Sequence, residues 1–254
     1  NYKMVSKKQL FEICRKKRIP GYFDRGNSGA CGMEDSNKVV IFGTSNFAKL
    51  VYYYFTHDSQ YKVMAFTVDK EYITDEEFSG LPVVPFEEIE LLYPPEHYNM
   101  FIALGYKSLN KLRAKKYYEA KEKGYKLVTY ISSSAVKWDD LKIGDNCMVL
   151  EGQIIQPHVT IGNDTIIFGG GVIAHDSVID DHCFIAPNVL VAGNATIGPY
   201  CFLGASVTIR DGITVARECV IGMGASVIKN TKEAGVYFGV PARLHPEINS
   251  RTCL

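Results

Sequence analysis

The chain has 254 residues, room for two modest domains, and its 28 basic and 28 acidic side chains cancel. That balance gives no global field for nucleic acid or an anionic membrane, and no apolar run reaches the length of a bilayer span. No signal peptide opens the chain, so a cytoplasmic location is expected. The first residue is Asn1 rather than Met, and the start is expected to be either an imposed boundary or the cut end of a longer polypeptide.

Residues 1–37 carry eight basic and four acidic side chains, concentrated near Arg15-Lys16-Lys17-Arg18. Lys7 to Lys17 is expected to form a short helix that stops before Pro20-Gly21. Glycine, Ser and Asn between Gly26 and Asn37 predict a loop. The segment reads either as a solvated basic arm or as a linker from an upstream domain.

Residues 38–131 alternate strands and helices, an α/β Rossmann-like half-fold. Val39 to Phe42 is a buried strand, and the helix after it sets Phe47, Leu50, Val51 and Tyr54 on one face. Tyr61 to Val68 is a second strand ending at Asp69. An extended piece at Leu81 to Val84 and an acidic turn lead to Pro94-Pro95. Met100 to Leu104 is a strand, Asn110 to Lys123 a helix closed by Gly124, and Lys126 to Ile131 is expected to complete the parallel sheet. Such a sheet binds ligands at the carboxyl ends of its strands. The turn Gly43-Thr44-Ser45 follows a strand and opens a helix, so its free N–H groups can receive phosphate. A dinucleotide fingerprint has glycine where Ser45 stands, and only half of a two-lobed fold is present, so a single nucleoside diphosphate fits better than NAD. Asp69 and Lys70 stand where a base or ribose is read, although Asp69 reads equally well as a solvated strand-end acid. Gly105 and Tyr106 end a strand on the same edge.

From 132 to 231 the period changes to six. Every sixth residue from Ile143 to Val227 is a branched aliphatic, a period that neither a helix nor a flat strand produces. A left-handed parallel β-helix does, since each aliphatic then points into a three-sided prism. Positions two residues earlier are mostly small or β-branched, as at Cys147, Thr165, Ser177, Cys183, Cys201 and Cys219. Glycine follows the aliphatic at Gly144, Gly162, Gly198, Gly204 and Gly222, where a corner favours a backbone without a Cβ. Five coils at about 4.8 Å each make a prism about 24 Å tall. Its narrow apolar faces require cover, which a homotrimer provides. The repeat ends at Glu233, leaving 232–254 as cap and tail. Of seven cysteines, Cys147, Cys183, Cys201 and Cys219 share one column, a ladder of small apolar side chains rather than a disulfide framework or a zinc site.

The hexads end in Gly239-Val240-Pro241-Ala242-Arg243. With the Gly43 turn, the stretch Ile102-Ala103-Leu104-Gly105-Tyr106, its basic helix bearing Asn110 and Arg113, and Ile173-Ala174-His175-Asp176, they resemble the bacterial hexapeptide-repeat sugar acyltransferases. That group modifies nucleotide-linked aminosugars and sialic acids, and the resemblance spans about residues 38–243. It implies an acetyl-CoA-dependent N-acetyltransferase acting on a nucleotide-linked amino-dideoxy sugar for surface-glycan synthesis. Gly43, Thr44, Ser45, Asp69, Lys70, Gly105 and Tyr106 would then hold the nucleotide sugar.

His175 suits the base that such a transfer needs, because imidazole titrates near neutrality, and Asp176 would orient it. One coil on, the Gly193 N–H is placed to receive the thioester oxygen. His158 should lie beside this corner and His182 around the next, so three imidazoles do not converge and no metal is expected. The coenzyme should contact Gly204, Ala205, Gly222 and Gly224 and reach Gly239 and Pro241, with Lys229 or Arg243 near its phosphates. Relatives that acetylate 4-amino sugars often carry Asn and His where this chain has Phe168 and Phe184, which implies a more aromatic sugar pocket. An O-acetyltransferase with the same base and a non-catalytic nucleotide-binding scaffold stay open as alternatives.

Overall fold

The computed structural model describes residues 37–253. The helix expected at Lys7–Lys17 and the loop after it lie outside the described residues.

The first lobe contains β1 (Lys38–Phe42), α1 (Asn46–His57), β2 (Lys62–Val68), β3 (Glu77–Phe78), β4 (Leu81–Pro85), α2 (Ile89–Leu92), β5 (Asn99–Ile102) and α3 (Lys111–Glu122). Its sheet runs β3-β4-β2-β1-β5, parallel except for the β3–β4 hairpin. Strand β1 is apolar at four consecutive positions because both of its faces are covered, by Phe55 and Phe101 on one side and Phe86 and Tyr93 on the other. With β2 and β5 flanking β1, strand order reverses there, which opens a crevice at the carboxyl ends of β1 and β5.

The extended piece expected at Leu81 is a strand, paired with β2 from Phe66 to Val68. One expectation is corrected. The segment 126–131 does not complete this sheet. Only Leu127 bridges to Met100, whereas Tyr130–Ile131 (β6) pairs with Met148–Val149 in the prism, its Tyr130 N–H donating to Cys147 O at 2.9 Å. Four-residue β5 is too short to hold more of the segment.

The prism has three faces of two-residue strands. Face one runs from Lys142–Ile143 to Thr214–Val215, face two from β6 to the terminal strands, and face three from Ile154–Ile155 to Ser226–Val227. Of the hexad aliphatics, all but Ile143 are buried, each contributing about 1.5–3 kcal/mol. Every corner has one residue in the left-handed region at the same period of six, as at Asn146 (φ 52°), Asp164 (φ 53°), Asp176 (φ 59°), Asn188 (φ 60°) and Asn194 (φ 57°). Asn and Asp tolerate that conformation better than other residues with a Cβ, so the turn chemistry is local.

The glycines after the aliphatics have another cause. Gly204 has no positive φ, but a Cβ there would stand 2.6 Å from Met223 N of the next coil. Close approach, not left-handedness, selects glycine at these positions. The cysteine ladder is buried and unpaired as disulfide, and each thiol bonds across coils: Cys147 Sγ to Gly162 O (3.0 Å), Cys183 Sγ to Gly198 O (3.3 Å), Cys201 Sγ to Ala216 O (3.1 Å) and Cys219 Sγ to Lys232 O (3.1 Å). Burial pushes the Cys147 and Cys183 thiols up to about 12, so they stay neutral donors.

The three faces are not equivalent. Face two is covered by the first lobe: Met148, Ile166 and Phe184 share a buried cluster with Phe66, Phe101 and Tyr130. Face one turns Lys142, Thr160, Thr196 and Thr214 outward, with half-buried Val178 among them. Face three presents Ile154, Val172 and Leu190 in register, Ile154 and Leu190 exposed and Val172 half-buried, with exposed Val136 bridged to Ile154 below them. Gly235–Phe238 and Arg243–Asn249 pair to close the far end.

Candidate active site

His175 and Asp176 occupy the corner between faces three and one. His175 Nδ1 lies 2.9 Å from Asp176 Oδ2. A carboxylate only accepts, so Nδ1 carries the proton and Nε2 presents its lone pair. The His175 N–H donates to Gln156 Oε1 (3.0 Å), and the Asp176 N–H donates to Pro157 O (3.2 Å), which fixes the corner on the coil below. Gly193 lies directly over the ring; a Cβ there would meet His175 Cε1 at 2.7 Å and Nε2 at 2.8 Å. The Gly193 carbonyl accepts from Gly212 N, while its N–H has no acceptor among the described residues. An imidazole, a carboxylate and an N–H donor thus share one corner, an arrangement chemically suited to proton removal beside a developing oxyanion.

The other histidines of the repeat each have a carboxylate of their own. His158 Nδ1 lies 2.8 Å from Asp140 one coil below, and His182 is buried with Nδ1 2.8 Å from Asp164. Among the described residues no three His, Cys, Asp or Glu side chains form a metal-holding group.

In the first lobe, Gly43 stands at φ 121°, and a Cβ there would be 2.8 Å from Ala103 O, so β1 and β5 approach too closely for a side chain. Ser45 caps α1, its hydroxyl accepting from Ala48 N (3.4 Å). Thr44 borders a small hollow of about 120 Å³ with Tyr72, Thr74, Glu77 and Phe78. Asp69 is not a free strand-end acid. Lys116, on α3, reaches it at 2.6 Å while bonding Glu119 at 2.7 Å and standing over the Phe42 and Phe86 rings. Burial would lower the Lys116 pKa, but its bonds to Asp69 and Glu119 outweigh that and raise it. Lys116 was invisible to motif reading, because a lysine in a basic helix gives no sign of facing inward. Lys70 points to solvent, its N–H on the Glu87 carboxylate (3.1 Å) and its Nζ 3.4 Å from Glu88.

Tyr106 follows Gly105 and packs its ring on Phe184 (5.0 Å) and Phe202 (4.9 Å). Phe168 sits between Phe184 (5.5 Å) and Phe47 of α1 (6.2 Å). Phe168 and Phe184, expected to line a sugar pocket, therefore lie in the joint between lobe and prism. The turns Gly204-Ala205 and Gly222-Met223-Gly224 are stacked on the corner between faces two and three, tied by Gly224 N to Ala205 O (2.9 Å). Phe238 lies against Gly222, and Met223 is 80% exposed beside them. Gly239 O accepts from Ser226 N, which lays the Gly239–Pro241 segment over the end of face three. Lys229 is elsewhere, three coils above His175 on the corner between faces three and one, lining a hollow with Arg243 and Leu244.

One chain thus places α1, which opens at the Gly43 turn and meets the prism at Phe168 and Glu151, beside the glycine turns along one edge of face three, and His175, Gly193 and Lys229 along the other. Fold and site define an acyltransferase of the hexapeptide-repeat class. Residues 38–137 match the PglD N-terminal domain. No curated protein matches the chain by sequence. Among solved structures, a variant of perosamine N-acetyltransferase from Caulobacter crescentus, in complex with CoA and GDP-perosamine, is 26% identical. It covers 87% of this chain and 100% of its own, with a TM-score of 0.76. The acetyltransferase domain of PglB from Neisseria gonorrhoeae (21% identity, 82% and 100% coverage, TM-score 0.74) and WeeI from Acinetobacter baumannii (23%, 82% and 99%, TM-score 0.71) share the fold. The chain carries a PglD-type N-terminal domain and is similar over most of its length to these sugar acetyltransferases.

Proposed function

We propose that the protein transfers the acetyl group of acetyl-CoA to the amine of a nucleotide-linked amino-dideoxy sugar, with His175 as the base. The observation that carries this reading is the His175–Asp176 pair at 2.9 Å, its free Nε2 lying against Gly193. The amine attacks the thioester carbon, forming the C–N bond, and its proton passes to Nε2. The oxyanion is received by the Gly193 N–H, the C–S bond breaks, and His175 returns the proton to the departing thiolate. Asp176 keeps the proton on Nδ1 and stabilises the imidazolium.

The nucleotide diphosphate is assigned to the crevice at Gly43-Thr44-Ser45, where the start of α1 offers backbone donors, although the Gly43 N–H itself is taken by Thr67 O (2.8 Å). Asp69, Lys70, Gly105 and Tyr106 form its rim. The coenzyme fits the stacked turns at Gly204, Ala205, Gly222 and Gly224, reaching Gly239 and Pro241, with Lys229 supplied from the opposite edge. Support comes from the Caulobacter enzyme, similar over its whole length and crystallised with both kinds of ligand. Because one chain separates the two half-sites by the width of face three, the reading includes a homotrimer in which one copy's His175 serves another's nucleotide lobe. It also includes a cytoplasmic location, beside the acetyl-CoA and nucleotide sugar that the reaction would consume.

The test pairs acetyl-CoA with amino and hydroxy versions of the same nucleotide sugars and follows thiol release. Release with the amine alone supports the reading, release with the hydroxyl alone turns it into an O-acetyltransferase, and release with neither removes it.

A further inference from the structure

Arg113, on the first turn of α3, is fully buried, and all five of its guanidinium N–H donors have acceptors. Nε donates to Asp164 Oδ1 (3.0 Å). Nη1 donates to Gly105 O (3.0 Å) and Asn110 Oδ1 (3.1 Å), and Nη2 to Asp164 O (2.9 Å) and Cys183 O (3.1 Å). These acceptors belong to three parts of the molecule: the rim of the nucleotide crevice, the cap of α3, and two successive coils of the prism. Asp164 is buried as well. Its Oδ1 also accepts from Asn146 Nδ2 (2.7 Å), and its Oδ2 takes His182 Nδ1 (2.8 Å), whose Nε2 lies 3.1 Å from Tyr118 OH. Asn146 Oδ1 in turn accepts from Ile102 N (2.8 Å), at the end of β5.

Strand β5 therefore leaves the sheet tethered at Ile102 and again at Gly105, both times to Asp164 through one intermediary. We propose that Arg113 is a positioning residue for the nucleotide-sugar site: through Asp164 it fixes the Gly105–Tyr106 rim to the coils, so that a nucleotide bound on the lobe stands at a set place relative to the prism corners. This rests on the nucleotide crevice at Gly43 and Gly105 proposed above. A buried ion pair that served stability alone would need one carboxylate and could be replaced by apolar packing. Here one of the five bonds reaches a carboxylate, and the others hold two backbone carbonyls of the coils, a side-chain amide and the carbonyl of the crevice rim. Only a planar fork can join those groups at once; an ammonium is a point donor.

The full chain tests this with two variants. Arg113→Lys keeps the charge and loses the fork. Asn146→Gly cuts the second tether at a residue already in the left-handed region (φ 52°), where glycine is at ease, and it decides the matter if Arg113→Lys does not fold. UDP, GDP and dTDP are titrated separately by calorimetry, and acetyl-CoA in parallel. The expected result is a nucleotide Kd raised roughly tenfold or more, with acetyl-CoA affinity within about twofold and a single melting transition retained. In turnover, KM for the nucleotide sugar should rise more than kcat falls. Wild-type nucleotide affinity in a folded variant, or equal loss of both ligands, overturns the proposal. A wild-type chain that binds none of the three nucleotides overturns the crevice reading itself, and this proposal with it.

Discussion

The imidazole of His175 fills the space that a side chain on Gly193 would need, with Cε1 2.7 Å and Nε2 2.8 Å from the position of a Cβ there. Residues one coil apart are in register by the repeat, so Gly193 decides where the base stands as well as offering its N–H. Gly193→Ala should leave the fold intact, since the position lies on a corner with ordinary backbone angles, but it should push the ring aside. We expect turnover to fall by about 10²-fold, the cost of displacing a catalytic group by about 1 Å, with coenzyme and nucleotide affinities preserved. Unchanged turnover would show that the ring does not work from this seat.

His175→Asn removes the base from an exposed corner and should not disturb the core. Turnover should fall by roughly 10² to 10⁴ while both ligands still bind within a few-fold. Asp176→Asn should cost less, because it alters only the orientation and basicity of the ring. Near-normal rates in His175→Asn would pass the role to another group, His158 one coil below being the first to test.

The prism was legible because its signal is periodic: a side chain every sixth position points inward, and no other architecture asks for that. The His175–Asp176–Gly193 arrangement was legible for the same reason, since eighteen residues make one coil and neighbours can be counted. Contacts between the lobe and the prism obey no period. Nothing in the spacing of Arg113 and Asp164, or of Lys116 and Asp69, announces that they meet, because both pairs depend on how α3 settles against other elements. Phe168 and Phe184 show the same limit: their place along the repeat was clear, but not that the first lobe would cover them. Tyr130–Ile131 shows the limit on a smaller scale: a short apolar run suits either sheet, and only the fold assigns it to the prism.

Asp58, at the end of α1, ties the lobe to the start of the prism. Its Oδ2 accepts from Tyr130 OH (2.5 Å), Ser133 N (2.9 Å) and Ser132 Oγ (3.1 Å). The bonds from Ser133 and Tyr130 hold its carboxyl down at about 2, against an ordinary 3.8. A lowered folded-state pKa contributes stability that is complete above the ordinary value and lost as pH falls toward the lowered one. The melting temperature of Asp58→Asn should therefore lie below wild type near neutral pH, and the gap should close between about pH 4 and about pH 2. A gap independent of pH over that range would mean that the carboxylate charge is not what binds the two parts.

The division of the half-sites across face three yields a prediction about chains in mixture. Ile154 and Leu190, exposed, and half-buried Val172 form an apolar stripe between the two edges, and a ring of three copies would bury it while bringing one copy's His175 to another's nucleotide lobe. Light scattering should give three times the 28.4 kDa chain mass, and Leu190→Asp should shift it toward one. Ser45→Asp keeps the cap on α1, since Asp caps as well as Ser, but sets a negative charge where the phosphate would bind. Alone it should be inactive, as should His175→Asn. Unfolded together and refolded as a mixture, the two should regain activity, because random assembly joins an intact nucleotide lobe to an intact His175 at roughly a quarter of the sites. A mixture as inactive as its parents, with mixed trimers demonstrated by mass, would place the whole site within one chain and end the shared-site reading.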